Sequence, residues 1–169
     1  MATADDLKDQ VREGVLRSLR RLVEKDGDLF DCPIEKHSSD DARKLHEVCV
    51  NHQLANHLEK ELIPIFRPEE TISVDIEFNR EGVGFKNAKI NGEDKLVRPD
   101  IIIHNRKTGN EKVNLLVVEC KKQGTSKDDI GKDRKKIEAL MKDERYQYAF
   151  GTNALRRQQS GTLALLVFD

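Results

Sequence analysis

The chain has 169 residues, of which 36% are charged and 37% hydrophobic, so one domain with a core made of short apolar runs is expected. The formal net charge of −1 gives no overall attraction to phosphate backbones, and nucleic-acid binding would have to be local. There is neither a long apolar run nor a start with the basic and apolar regions of a signal peptide, so a cytoplasmic protein without membrane contact is expected.

Two helices are predicted in the first third of the chain. Apolar residues recur at helical spacing from about Asp5 to Lys25, which predicts an amphipathic packing helix. Residues 26–37 contain a glycine and a proline and are predicted to be a connector. The second helix is predicted to begin near Ser39, whose hydroxyl can cap it, and to end at Pro64.

The second helix carries polar residues on the side predicted to face inward. This side consists of Leu45, Val48, His52, Ala55, Glu59 and Leu62. His52 and Glu59 are seven residues apart, so they face within roughly 20° of each other on a helix. Each could belong to a functional site, but His52 could instead bind a backbone carbonyl in the core, and Glu59 could form a buried ion pair. Glu47 and Glu61 lie opposite and are predicted to be solvated.

A strand with one polar face is predicted next. Residues 71–80 alternate between apolar and polar side chains, the period of a half-buried strand. Glu77 and Asn79 lie on its polar face and are secondary site candidates, because neighbouring strands present equivalent faces together. Asp75 is predicted to be solvated. Residues 82–94 are punctuated by glycine and predict either a short extra strand or a loop.

The following segment predicts a β-hairpin that carries charge at its end. Its strands are the apolar runs Ile101 to Ile103 and Leu115 to Val118. Side chains alternate along a strand, so Glu119 and Lys121 share a face, and Asp100 opens the partner strand close to Glu119. Charged groups in such a place need a partner. A divalent metal site explains them, and an edge-strand salt bridge from Lys121 to either carboxylate is the alternative.

A third helix is predicted from Ser126, with Asp133 on its buried side. Asp133 could hold Lys121 in place, or it could pair with Lys136 or Arg134. The remaining residues predict a strand through the alternating aromatics at 146–150, a polar connector at 151–160 and a final buried strand at 163–168. The elements together predict an α/β protein with a mixed β-sheet flanked by helices.

The residues Pro99, Asp100, Glu119 and Lys121, with a variable residue between the last two, resemble the signature of the PD-(D/E)XK nuclease superfamily. Three stretches are also similar to a compact, uncharacterised group within it; they read NHQLANHLE, EFNR and RPDIIIH. The resemblance implies a single nuclease-like domain over residues 1–169. In it an extra N-terminal helix and connector, 1–37, precede a restriction-endonuclease-like α-β-β-β-α-β core, 38–169.

The resemblance also implies an activity. Asp100 and Glu119 would hold Mg²⁺ or Mn²⁺ with the help of Glu59, and Lys121 would position or activate water for phosphodiester hydrolysis. The expected partner is nucleic acid, with DNA as the expected form, and a homodimer would cut both strands. A nucleic-acid-binding or regulatory module that keeps the nuclease fold without turnover is the main alternative. A protein-interaction domain whose first helix docks onto a larger assembly is another.

Overall fold

A computed structural model describes residues 4–30, 40–66, 71–81, 84–107, 113–121, 125–156 and 163–168. The chain forms two compact units, Met1–Ile65 and Phe66–Asp169, and each is described by itself. A single domain over the whole chain stays a prediction. In the described segments, no helix is sufficiently long and apolar to cross a lipid bilayer.

Two long helices make up the first unit. Helix α1 (Ala4–Lys25) packs against helix α2 (Asp40–Leu62), and a short 3₁₀ turn follows each of them. The apolar positions that predicted α1 are buried as expected, namely Val11, Val15, Leu19 and Leu22. Both helices have the predicted extents to within two residues. The predicted cap at Ser39 lies outside the described residues.

The rotation of α2 differs from the prediction. Asn51, Leu54, Ala55, Leu58 and Leu62 are buried, whereas His52 and Glu59 are exposed. The inward-facing prediction for these two residues is therefore wrong. Because α2 carries polar residues on several sides, its own pattern defines its buried side poorly, and contact with α1 decides it.

Two polar residues of α2 have partners that the pattern did not predict. The Nε2 atom of His57 lies 2.7 Å from Oδ2 of Asp26. The side chain of Glu61 is only 10% exposed and lies 2.6 Å from Arg17 and 2.9 Å from Arg21 on α1. The prediction that Glu61 is solvated is wrong, because the basic residues of α1 face it across the helix pair.

The second unit is a mixed α/β structure with one helix and nine strands in its described part. The strands are β1 (Ser73–Ile76), β2 (Arg80–Glu81), β3 (Gly84–Phe85), β4 (Asn87–Ile90), β5 (Glu93–Leu96), β6 (Ile101–His104), β7 (Asn114–Lys121), β8 (Phe150–Arg156) and β9 (Leu163–Phe168). Five of them form a sheet in the order β1-β6-β7-β8-β9, while β2-β3 and β4-β5 are small separate ribbons. The mixed sheet is thus confirmed.

The sheet combines antiparallel and parallel pairs. Strand β6 pairs antiparallel with β1 and β7, which confirms the predicted hairpin pairing, and β7 runs parallel to β8. A parallel pair requires a crossover, which is provided by helix α3 (Lys127–Lys142). The hydroxyl of Ser126 accepts a hydrogen bond from the backbone N–H of Asp129, so this cap is confirmed.

Two strand predictions near the C-terminus are wrong. Tyr146 and Tyr148 precede β8 instead of belonging to it, and residues 151–156 form most of that strand although they were predicted to be a connector. Strand β8 pairs with β7 on one side and β9 on the other. Sheet hydrogen bonds on both sides therefore outweigh the low strand propensity of Gly151 and Asn153.

Helix α3 packs closely on β8. A Cβ atom at Gly151 would collide with the side chain of Ile137 and lie 2.8 Å from the sulfur of Met141. Ile137 and Leu140 are fully buried in a core with Ile102, Val117, Tyr146 and Tyr148. Gly151 therefore allows the helix to approach the sheet.

We expect Gly151→Ala to lower the free energy of unfolding by about 1–3 kcal/mol, because the added methyl group overpacks this contact. Chemical denaturation measures the effect. Gly131→Ala is the matched control within α3: a Cβ there meets no atom within 4 Å, so a gain of up to about 1 kcal/mol is expected from helix propensity. Equal effects of the two substitutions would contradict the close approach at Gly151.

Candidate metal and nucleic-acid site

The predicted acidic residues of the hairpin meet at one end of β6 and β7. Ile101 pairs with Val118, so Asp100 and Glu119 are the next residues along the two strands. The carboxylate of Asp100 accepts a hydrogen bond of 2.7 Å from the backbone N–H of Cys120. Adjacent antiparallel strands therefore bring Asp100 close to Glu119, as the hairpin pattern predicted.

Glu119 is the most unusual residue of this site. Its side chain is 1% exposed, and its Oε2 lies 2.6 Å from Nζ of Lys136. Its Oε1 is buried and has no hydrogen-bond partner in the described part of the chain. A buried carboxylate oxygen without a partner costs free energy. A buried carboxyl group with an unpartnered oxygen is typical of a catalytic or ligand-binding site.

The protonation of Glu119 reflects two opposing effects. Burial, together with the nearby charges of Asp100 and Asp133, raises the pKa of its carboxyl group to about 8 against the attraction and hydrogen bond of Lys136. The short contact with Lys136 favours the ionised form, but it satisfies one oxygen only. We therefore expect the raised pKa to prevail, and the carboxyl group to hold a proton at neutral pH when no cation is bound.

Lys121 is held by the helix that follows it. Its Nζ lies 3.0 Å from Oδ2 of Asp133, and its side chain is 26% exposed. Burial lowers the pKa of Lys121, but the hydrogen bond and charge of Asp133, with Asp100 and Glu119, leave it raised overall. Lys121 is therefore protonated at neutral pH, so it can neutralise an anion or orient water but cannot serve as a general base.

The ion pairs around α3 decide between the predicted alternatives. Asp133 holds Lys121, as the first alternative proposed. Lys136 pairs with Glu119, and Arg134 pairs with Glu138. The ion pair of Lys121 that the structure describes therefore joins the sheet to the helix, with Asp133 as the partner.

Lys136 is a site residue that the sequence analysis did not select. Besides its contact with Glu119, its Nζ donates a hydrogen bond of 3.2 Å to the backbone carbonyl of Arg98. It lies three residues after Asp133, so both side chains leave the same side of α3. The three-residue spacing could have indicated that Lys136 accompanies Asp133. The sequence does not show, however, that this side of α3 faces Glu119.

Asn153 is a second residue that sequence reasoning missed. It is fully buried on β8, and it pairs in register with Glu119 on the neighbouring strand β7. Paired residues of adjacent strands face the same side of a sheet. Both polar atoms of its amide lack a hydrogen-bond partner among the described residues. Two incompletely satisfied polar groups therefore stand side by side.

Glu77 and Asn79 lie just after the end of β1. The backbone N–H of Glu77 donates a 2.9 Å hydrogen bond to the carbonyl of Asp100. Its carboxylate lies 3.6 Å from the guanidinium of Arg98. Glu77 has a φ of 49°, an uncommon conformation that ends the strand at Ile76. The backbone carbonyl of Asn79 accepts a 2.6 Å hydrogen bond from Lys86.

Asp75 belongs to an ion-pair network, so the prediction that it is solvated is wrong. Its carboxylate is 15% exposed, lies 2.8 Å from Nε2 of His104 and also pairs with Arg106. Burial raises the pKa of Asp75, but the hydrogen bonds of Arg106 and His104 leave it lowered overall. Asp75 is therefore ionised at neutral pH. It meets His104 because strand β1 pairs with strand β6, and its role is structural.

His52 and Glu59 lie on α2 in the first unit and are both exposed. The candidate site described above lies entirely in the second unit. The roles of His52 and Glu59 at a metal therefore stay predictions. Because both side chains are exposed, the two alternative predictions are wrong: His52 is not a core histidine, and Glu59 is not part of a buried ion pair.

The carboxylates of the second unit offer a small set of metal ligands. In the described segments, no group of three or more His, Cys, Asp and Glu side chains is arranged to hold a metal ion. Mg²⁺, however, commonly uses one or two protein carboxylates and completes its shell with water and phosphate oxygens. Asp100 together with the unpartnered Oε1 of Glu119 fits that smaller requirement.

Comparison of the chain with protein-family models, with curated proteins and with solved structures yields no match. A function for this protein is therefore inferred from its own residues and from the resemblance of its short motifs.

Proposed function

We propose that this protein hydrolyses phosphodiester bonds in nucleic acid, with Mg²⁺ or Mn²⁺ bound by Asp100 and Glu119. The observation that carries the proposal is Glu119 itself, which is 1% exposed and has one oxygen without a partner in the described residues. It lies beside a second acid and near two lysines. A buried acid in this setting destabilises the fold, and a bound cation would remove that penalty.

The order of the elements supports the same proposal. Helix α2, strands β1, β6 and β7, helix α3 and strand β8 follow one another along the chain, apart from the two small ribbons. Strands β6 and β7 are antiparallel, and β7 and β8 are parallel. This is the arrangement that a restriction-endonuclease-like core would require, with Asp100 and Glu119 on neighbouring strands.

Each residue of the site has a distinct part in the proposed mechanism. A bound cation would polarise the scissile phosphate and lower the pKa of a coordinated water. Asp100 and Glu119 would hold that cation, and Glu59 is proposed to assist directly or through water. Lys121, which Asp133 positions at 3.0 Å, would stabilise the negative charge that develops on the phosphate. DNA as the substrate and a homodimer as the assembly are proposed from the resemblance.

One observation favours a second function, which is nucleic-acid binding without hydrolysis. The Nζ atom of Lys136 lies 2.6 Å from one oxygen of Glu119, so a positive charge already stands at the carboxyl group that a cation would need as a ligand. If Lys136 kept this place in the presence of metal, the site would lack part of its attraction for a divalent ion. Binding of metal distinguishes the two functions.

We expect Mn²⁺ binding at pH 7 to release about one proton per ion, because the pKa of Glu119 is raised to about 8 and ligand carboxylates must be ionised. Titration calorimetry in two buffers of different ionisation enthalpy measures this number. Incubation of the protein with circular DNA, linear DNA and RNA should give cleavage with Mg²⁺ or Mn²⁺ and none with EDTA. Metal binding without cleavage favours the second function, and absence of both contradicts the proposal.

A further inference from the structure

A pocket lies beside the candidate metal site, where the two small ribbons meet the chain leading to Asp100. It has a volume of about 340 Å³ and is lined by Asn79, Phe85, Lys86, Leu96, Val97 and Arg98. Small-ligand sites generally have volumes of roughly 300–1,000 Å³. The pocket is therefore large enough for a small ligand or for one group of a larger one.

The base of this pocket is firmly held. The backbone N–H of Lys86 donates to the carbonyl of Asn79 at 2.6 Å, and the N–H of Val97 donates to the carbonyl of Lys86 at 2.9 Å. The Lys86 side chain is 2% exposed, and its Nζ donates a 2.7 Å hydrogen bond to the hydroxyl of Tyr148. Three adjacent segments are thus tied together under the pocket, so its shape is preorganised.

The walls of the pocket expose large apolar side chains. Phe85 is 63% exposed and Leu96 is 77% exposed. In the described part of the chain, the next most exposed large hydrophobic residue is Val48, at 37%. Isolated exposed hydrophobic residues are ordinary, but two that line one pocket form a surface that a flat apolar ligand can cover.

Positive charge accompanies this apolar surface. The side chain of Arg98 is 61% exposed, and its guanidinium lies 3.6 Å from the carboxylate of Glu77, which is beyond normal hydrogen-bond distance. The Nζ atom of Lys86 is bound to the hydroxyl of Tyr148 in the core, so Arg98 supplies the exposed positive charge of this pocket. An exposed phenyl ring beside an arginine matches a ligand with an aromatic face and a phosphate, since bases stack on such rings and phosphates bind arginine.

We infer that the pocket binds one unstacked base of a single-stranded nucleic acid. The base stacks against Phe85 and Leu96, and its adjoining phosphate contacts Arg98. Arg98 is two residues from Asp100, and its carbonyl accepts the hydrogen bond of Lys136, so a strand held here passes beside the candidate metal site. The inference rests on the proposed function for the identity of the ligand class and adds a preference for unpaired over duplex substrate.

The test measures binding in EDTA, so that no cleavage occurs. A short single-stranded oligonucleotide containing 2-aminopurine is the probe, and its fluorescence is quenched when the base stacks. We expect Phe85→Ala to weaken binding by roughly 5- to 150-fold, the effect of losing one base–aromatic stack, and to abolish the quenching. Phe85→Trp should retain both, because it keeps an aromatic face. A matched duplex should bind more weakly than the single strand.

Val48→Ala is the matched control, because Val48 is an exposed apolar residue of α2 that does not line this pocket. Its binding should equal that of the unaltered protein. Circular dichroism checks that each variant is folded, which is expected for exposed side chains. Unchanged single-strand affinity in Phe85→Ala, or equal losses in Phe85→Ala and Val48→Ala, would overturn the inference.

The outcome can be separated from that of the hydrolysis proposal. Phe85-dependent binding without any metal-dependent cleavage would support the pocket and contradict the nuclease. Cleavage by the unaltered protein at a rate that Phe85→Ala does not change would support the nuclease and contradict the pocket. Preference of the pocket for an apolar peptide over the oligonucleotide would also contradict the inference.

Discussion

Glu119→Gln is expected to reduce metal-dependent cleavage by roughly 10²–10³-fold or more, the range found when one preorganised group that stabilises charge is removed. The glutamine keeps the shape of the side chain, so the 1% exposed position remains filled. It has no charge with which to hold a divalent cation against the repulsion of Lys121 and Lys136. Initial rates of cleavage in Mg²⁺ and in Mn²⁺ measure the loss.

The matched control for this experiment is Glu138→Gln. Glu138 lies on α3, where its 39% exposed carboxylate pairs with Arg134 at 2.9 Å. The same chemical change should leave its cleavage rate unaltered. Because both variants are purified identically, activity in Glu138→Gln but not in Glu119→Gln also excludes a contaminating nuclease. Equal activity of Glu119→Gln and the unaltered protein would rule out the proposed mechanism.

The stability of the metal-free protein is expected to fall as the pH rises from about 5 to about 8, and Glu119→Gln should remove much of that fall. The pKa of Glu119 is raised by burial from 4.5 to about 8 in the folded protein. Below pH 4.5 the carboxyl group is protonated in both states. Between the two values the unfolded chain releases the proton more readily, so folding loses about 1.4 kcal/mol for each pH unit.

Denaturation by urea at pH 5, 7 and 9 in EDTA measures this effect, which should amount to several kcal/mol over the range. Lys136 loses its partner in the Glu119→Gln variant, so the test compares the change with pH and not the absolute stabilities. Other titrating groups contribute equally to both proteins and cancel in the difference. Parallel pH profiles for the two proteins would contradict the raised pKa.

Short apolar runs were sufficient to predict the central strands. The apolar runs Ile101 to Ile103 and Leu115 to Val118 pair as expected, and the antiparallel register alone places Asp100 beside Glu119. The start of α3 at Ser126 was predictable for a similar reason, because a capping side chain acts within one turn. These features depend on residues that are close in sequence or directly opposite in a ladder.

Features that depend on the packing of distant segments were not predictable. Residues 151–156 have few strand signals, and they form β8 because strands lie on both sides of it. The same segment contributes Asn153, which is fully buried beside Glu119. The pocket at Phe85 forms where two ribbons meet the chain near Arg98, a meeting that no periodic pattern describes.

The sequence by itself determined that two acids and a lysine share one end of a hairpin, because the two-residue period of a strand leaves no other arrangement. Tertiary structure alone decided which charges accompany them. Helix α3 supplies Asp133 to Lys121 and Lys136 to Glu119. Within the first unit, packing likewise decided that Glu59 lies on an exposed side of α2. A helix with polar residues on several sides can pack in more than one rotation about its axis. Its hydrophobic pattern therefore narrows the choice of buried side, and contact with a neighbouring element decides it.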